Sequence, residues 1–186
     1  MTEAHHRAGT RERARDALLS EFEWNAGHAN VWGVFESATT FAAVVAGLAD
    51  SWADSGVTKV VGVESRGFLL GGAVAIHLGV GFQAVRKAGA LFPGQKRTIT
   101  AAPDYRGVAH VLAIQDTLTD TDVVLMVDDW AQRGAQALAV RSLVEGSGAS
   151  FAGLSLMVDQ LDDATRARLG RLTALVTADE LGDPED

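Results

Sequence analysis

Val123-Val124-Leu125-Met126-Val127-Asp128-Asp129-Trp130-Ala131-Gln132-Arg133-Gly134-Ala135-Gln136 is the stretch whose reading decides the fold. Apolar residues, mostly valine, run without interruption into two adjacent carboxylates. A short turn with one glycine follows, and then an alanine-rich segment of helical character. An unbroken apolar run suits a strand covered on both faces, as in a parallel sheet. In such sheets ligands bind beyond the carboxyl ends of the strands, where the next helix presents free amide N–H groups. Two acids followed by an amide-rich turn therefore read as a site for a sugar phosphate. The plainer alternative is a capped strand-to-helix turn with solvated acids, and the stretch alone leaves both open.

Outward from this run, short buried strands alternate with helices. Strands are expected from about Lys59 to Glu64, Gly81 to Lys87, Val108 to Ile114, Ser150 to Val158 and Leu172 to Val176. Between them, helices are expected from about Phe68 to Leu78, Ala135 to Glu145 and Asp162 to Leu169. This alternation predicts an α/β fold, an open, mainly parallel twisted sheet flanked by helices. Thr10 is placed to cap a first helix running to about Glu23, and Thr39 or Thr40 a second running to about Ala53. The segment 24–35 is irregular and aromatic, suiting either a lid over a core edge or the wall of a pocket. From Ala88 to Gly107 periodicity is lost while three glycines and two prolines accumulate. A loop of that length is usually functional or mobile. Residues 1–9 and the acidic 179–186 read as loose tails of one domain spanning 1–186.

With 186 residues, 47% of them hydrophobic and 22% charged, the chain is long and apolar enough to bury a real core. The net charge of −8 argues against a general nucleic-acid binder, which needs clustered Lys and Arg. No membrane span is expected, because no window approaches the ~18 unbroken apolar residues required. The polar N-terminus lacks the apolar core of a secretory leader, and the absence of cysteine fits a cytoplasmic protein. The five histidines show no metal-ligand spacing, and Gly67 with Gly71-Gly72 is not a dinucleotide fingerprint.

Three strand ends carry chemistry: Glu64-Ser65-Arg66-Gly67, Arg86-Lys87, and Asp128-Asp129 with its turn. Right-handed crossovers bring the ends of adjacent parallel strands to one edge of a sheet. That edge would hold three cations, a glycine turn and two acids. Cations and amides suit a diphosphate; the acids suit sugar hydroxyls or a hydrated Mg²⁺. A phosphorylated sugar carrying a diphosphate needs both.

These segments resemble type I phosphoribosyltransferases, and most closely adenine phosphoribosyltransferases, from about Gly33 to Leu161. Gly62-Val63-Glu64-Ser65-Arg66-Gly67-Phe68 is similar to the family's pyrophosphate loop. Val85 to Gly94 resembles its RKxGKLPG segment, and Pro103-Asp104-Tyr105-Arg106-Gly107 the end of its mobile loop. The central stretch resembles VDDLLATGGT, the motif that binds phosphoribosyl diphosphate. The resemblance implies a Mg²⁺-dependent transfer of the phosphoribosyl group to a nitrogenous base, a purine like adenine, with release of pyrophosphate. It also implies a homodimer. Asp128 and Asp129 would hold the ribose hydroxyls and lie near the diphosphate-borne Mg²⁺. Ala131, Gln132, Arg133, Gly134, Ala135 and Gln136 would cradle the 5′-phosphate. Ser65, Arg66, Gly67, Arg86 and Lys87 would bind the diphosphate, with a cis peptide near Ser65-Arg66.

The departures are specific. Gln132-Arg133-Gly134-Ala135-Gln136 stands against ATGGT, so both hydroxyl donors and one glycine are gone, and Arg133 offers a charge-assisted bond instead. Ala90 replaces a lysine, with Lys96 and Arg97 expected to reach in when the loop closes. Asp104 replaces the loop glutamate that handles the base proton. Trp130 replaces leucine and is placed to stack on a base or pack in the core. Near the base site Phe35-Glu36-Ser37 stands against FRD. Two further readings remain at this stage: a non-catalytic sensor of nucleotide or phosphoribosyl diphosphate on the same fold, and a phosphohydrolase using Asp128.

Overall fold

The computed structural model describes residues 3–89, 91–103 and 107–182. The chain opens with α1 (Glu3–Glu21), a hairpin of β1 (Glu23–Asn25) and β2 (His28–Asn30), the single turn α2 (Gly33–Glu36) and α3 (Ala38–Asp50). Then come β3 (Lys59–Val63), α4 (Arg66–Leu78), β4 (Gly81–Lys87), β5 (Lys96–Thr100) and β6 (Val111–Gln115). The second half holds β7 (Val123–Ala131), α5 (Ala135–Gly146), β8 (Ser150–Asp159), α6 (Asp163–Leu169), β9 (Leu172–Thr177) and a 3-10 turn at Ala178–Leu181.

Seven strands form one sheet in the order β5-β6-β4-β3-β7-β8-β9. The five from β4 to β9 run parallel, and β6 and β5 add an antiparallel edge. Period-2 alternation divides each central strand between two cores. Val61, Val124 and Met126 pack with Val140 and Val144 of α5 on one face. Val60 and Leu125 pack with Leu48 of α3, Leu70 and Val74 of α4, and Ala14 and Leu18 of α1 on the other. Burial on both faces explains why β7 reads as a continuous apolar run. Burying each such side chain contributes roughly 1.5–3 kcal/mol.

The end of the sheet away from the carboxyl ends is locked by Asp122. Its carboxylate accepts from the Thr119 N–H at 2.8 Å, Thr58 Oγ1 at 3.1 Å and Lys59 Nζ at 3.0 Å. Burial alone would raise its pKa, but the bonds from Thr119, Lys59 and Thr58 outweigh it and hold the carboxyl below its ordinary value. A folded-state pKa below the unfolded one adds stability above the unfolded value, lost as pH falls through the folded one. Asp122→Ala should therefore cost about 2–3 kcal/mol at neutral pH, the worth of hydrogen bonds to a charged group. Urea unfolding should show that deficit narrowing below the ordinary carboxylate range; a deficit independent of pH would contradict it.

Several local expectations are corrected. The supposed loose N-terminus is helical from Glu3, and Thr10 lies buried inside α1 rather than capping it. The helix is tied down by Arg11, which donates to Ala174 O, and by Arg15 on Glu180. It stops at Glu21, and the irregular aromatic segment contains the β1–β2 hairpin, turning at Ala26 and Gly27, both with positive φ. Ser37, not Thr39 or Thr40, caps α3 by accepting from the Thr40 N–H. The aperiodic loop contains β5, an exposed edge strand with too few buried positions to show periodicity. The acidic tail forms a capped turn through residue 181, with Glu180 accepting from Thr177; residues 183–186 lie outside the described residues.

Candidate active site

At the carboxyl end of β3 the chain folds back on itself. A Cβ on Gly62 would lie 2.0 Å from Gly67 O, so only glycine allows this approach. The Glu64–Ser65 peptide is cis, adjoining Ser65-Arg66, near which the family resemblance implied one. This folding brings Arg66, the first residue of α4, against β7. Arg66 Nη2 lies 3.0 Å from Asp129 Oδ2, an ion pair. The two are not aligned as a hydrogen bond, and Asp129 Oδ2 is a buried oxygen that accepts none among the described residues. Gly67 sits behind the acids, where a Cβ would meet Asp128 Oδ1 at 3.1 Å.

The acids are not in a turn: β7 continues through Trp130 and Ala131 before the chain bends. Strand geometry therefore fixes both carboxylates. Asp128 keeps some surface toward the cleft yet is ringed by protein. Burial first, and the charge of Asp129 second, push its carboxyl well above the ordinary range.

Beyond β7, Gly134 (φ +68°) opens α5. A side chain there would be strained and would also strike Thr165 Cγ2 at 2.5 Å and Leu161 Cδ2 at 3.0 Å. Helix α6 thus backs the turn, itself held by its Asp162 cap and the Arg166–Asp159 pair at 3.0 Å. Gly134 supplies no capping side chain, so the first-turn amides of α5 are left for a ligand, and the helix dipole favours an anion there.

Ser65, Arg66, Lys87, Asp128, Asp129, Trp130 and the turn from Ala131 to Gln136 all line one cleft of ≈ 1030 Å³. Other expected residues stand elsewhere. Arg86 is engaged outside the cleft lining, its Nε donating to Glu64 Oε2 at 3.1 Å and Nη1 to Leu91 O at 2.7 Å. Glu64 also accepts from the Lys87 N–H at 2.6 Å, which fixes Lys87 at the cleft edge. Lys96 and Arg97 pair with Gln115 and Ile114 on the edge strand β5, separated from β4 by β6 and outside the cleft lining. Arg97 there binds Asp116 and Gly146 O. Phe35 packs between Trp32 and Phe41, not on the cleft wall. Asp104 lies outside the described residues.

The sequence left the segment 24–35 open between a lid and a pocket wall; the structure puts it in the other wall of the cleft. Trp24, Gly27 and His28 from the hairpin, Gln160 after β8, and Ala178 and Asp179 complete the cleft. Trp24 donates to Leu181 O and meets Trp130 edge-on at 6.3 Å, while Trp130 donates to Gln160 Oε1 at 2.9 Å. The aromatic density of residues 22–35 was the available signal.

Among the described residues no three acids or histidines converge to hold a metal by themselves. One or two carboxylates with an unsatisfied oxygen suit a hydrated Mg²⁺ arriving on a diphosphate, since Mg²⁺ keeps most of its waters and leans on phosphates.

No protein-family model matches the sequence. The chain is 43% identical over 130 residues to an adenine phosphoribosyltransferase of Streptomyces coelicolor, covering 69% of this chain and 70% of that protein. The chain belongs to the adenine phosphoribosyltransferase family. A Nocardioides adenine phosphoribosyltransferase is likewise 43% identical, over 141 residues, 73% of this chain and 75% of that one. The Giardia lamblia enzyme, solved with 9-deazaadenine, superposes with a TM-score of 0.79 at 28% identity, covering 88% of this chain and 97% of that one. The Saccharomyces cerevisiae enzyme, solved with adenine and an imino-altritol bisphosphate, gives 0.76 at 26% identity, covering 87% and 98%. Family membership makes the chain a phosphoribosyltransferase, an enzyme of the pentosyltransferase class.

Proposed function

We propose that the chain transfers the 5-phosphoribosyl group of phosphoribosyl diphosphate to adenine, releasing pyrophosphate. One observation carries the reading: the Asp128–Asp129 pair shares a cleft with the open amide end of α5 on one side and with Arg66 and Lys87 on the other. The carboxylates accept hydrogen bonds from the ribose hydroxyls. The amides of Ala135, Gln136 and Ala137, with the Arg133 guanidinium, hold the 5′-phosphate. Arg66 and Lys87 face the diphosphate and stabilise the charge that develops on it as the C1–O bond breaks through an oxocarbenium-like state. Asp128 and Asp129 would hold waters of a Mg²⁺ arriving on the diphosphate, which would supply Lewis-acid neutralisation of the same charge. Trp24 and Trp130 wall the space left for a flat base. Asp104 takes the proton the base loses on forming the glycosidic bond. The same reading carries a cytoplasmic homodimer of one phosphoribosyltransferase-like domain; light scattering tests the dimer.

The test is pyrophosphate release from phosphoribosyl diphosphate with Mg²⁺ and a panel of bases. Turnover should be greatest with adenine. Tight binding of the diphosphate with no turnover for any base would instead make the chain a sensor of that ligand.

A further inference from the structure

We infer that Trp32 is a positioning residue whose indole face holds the Arg66 guanidinium in the orientation in which it meets the diphosphate. This rests on the assignment of Arg66 to the leaving group. Trp32 is 47% exposed, so core packing does not account for a tryptophan there. Its backbone N–H donates to Asn30 Oδ1 at 3.1 Å, which fixes the chain just after the hairpin. Its ring meets Phe35 at 5.5 Å, and Phe35 meets Phe41 of α3 at 5.3 Å, a ladder of rings that anchors the indole to the core. Over this anchored ring stands Arg66, its Cζ 5.8 Å from the centroid.

The same guanidinium has Nη2 against Asp129 at 3.0 Å. It is therefore held from two sides, leaving the rest of its donor fork for the cleft it lines. The two holds differ in what happens on binding. A diphosphate competes with Asp129 for the guanidinium, whereas the ring face makes no hydrogen bond and is not displaced. Trp32 thus keeps Arg66 placed once the ion pair gives way, and less side-chain freedom is lost when the anion binds.

Calorimetric titration with magnesium pyrophosphate tests this. Trp32→Leu should weaken binding about two- to fivefold, the range of a partly exposed cation–π contact. The KM for phosphoribosyl diphosphate should rise and kcat fall, each by no more than a similar factor, with the KM for the base unchanged. Trp32→Phe and Trp32→Tyr, which keep a ring, should restore most of the affinity. In an Arg66→Ala background Trp32→Leu should have no further effect. An equal loss in both backgrounds, or leucine serving as well as phenylalanine, overturns the inference and leaves the site reading standing. A wild-type chain that binds no magnesium pyrophosphate overturns the site reading and this inference with it.

Discussion

Replacing both acids, as Asp128→Ala with Asp129→Ala, is expected to lower kcat/KM for phosphoribosyl diphosphate by about 10²–10⁴. Each carboxylate offers the ribose a charge-assisted hydrogen bond of ~1.5–3 kcal/mol, and two such losses give that range. Initial-rate kinetics of pyrophosphate release with adenine checks it, and full activity in the double variant would sink the site assignment. The single variant Asp128→Asn separates binding from stability. The Asp128 carboxyl is pushed up by burial and by Asp129. A folded-state pKa raised above the unfolded one contributes stability that is fully present below the unfolded value and lost as pH rises through the raised one. At neutral pH the Asp128 carboxyl is therefore a burden on the ligand-free fold. Asp128→Asn should melt higher than wild type at neutral pH while turning over more slowly, and the gap in melting temperature should close in acid. A melting temperature lower than wild type at neutral pH would contradict this. Such opposition between stability and activity is common where a fold holds unfavourable charge for function.

Gly62→Ala is expected to damage both stability and turnover. The added carbon would sit 2.0 Å from Gly67 O, and a backbone oxygen cannot rotate away as a side chain can. Either β3 or the turn carrying Ser65 and Arg66 must shift. The cost in stability should be about 3 kcal/mol or more, at the upper end for overpacked sites. A displacement of ~1 Å in a positioning loop also reduces turnover by about 10²-fold. Gly72→Ala in α4 is the control, because a Cβ there meets nothing within 4 Å. It should be neutral or stabilising by up to ~1 kcal/mol, as an alanine in a helix position with room for its Cβ usually is. Chemical unfolding and kinetics of the two variants side by side decide the matter; similar behaviour would mean that the close approach at Gly62 does not position the loop.

The legible parts share one property: their signal is carried by neighbours in sequence. The run from Val123 to Val127, buried on both faces, gave the central strand, and the alternation with helices gave the sheet. The paired acids, the Ser65-Arg66 turn and the opening of α5 could be assigned to one edge because parallel strands put their carboxyl ends together. Where the chain leaves the parallel strands for the sheet edge, the same reasoning reaches less far. Lys96 and Arg97 lie close in sequence to the Arg86–Lys87 strand end, yet β5 joins the sheet as its edge strand beyond β6, and Arg97 is engaged there by Asp116 and Gly146 O. Arg86 looked like a second cation for the diphosphate, but its partner Glu64 is brought to it only by the pairing of β3 with β4.

The sequence by itself determined the architecture and half of the cleft, since burial periodicity and turn chemistry act over a few residues. Only the tertiary structure decided the opposite wall. Trp24 reaches Leu181 across 157 positions, and Trp130 reaches Gln160 across 30. Trp32 comes to lie over Arg66 only after the hairpin and α4 have packed on the same sheet edge. Contacts of that range are set by how layers stack on the finished sheet, and no local pattern of residue types encodes them.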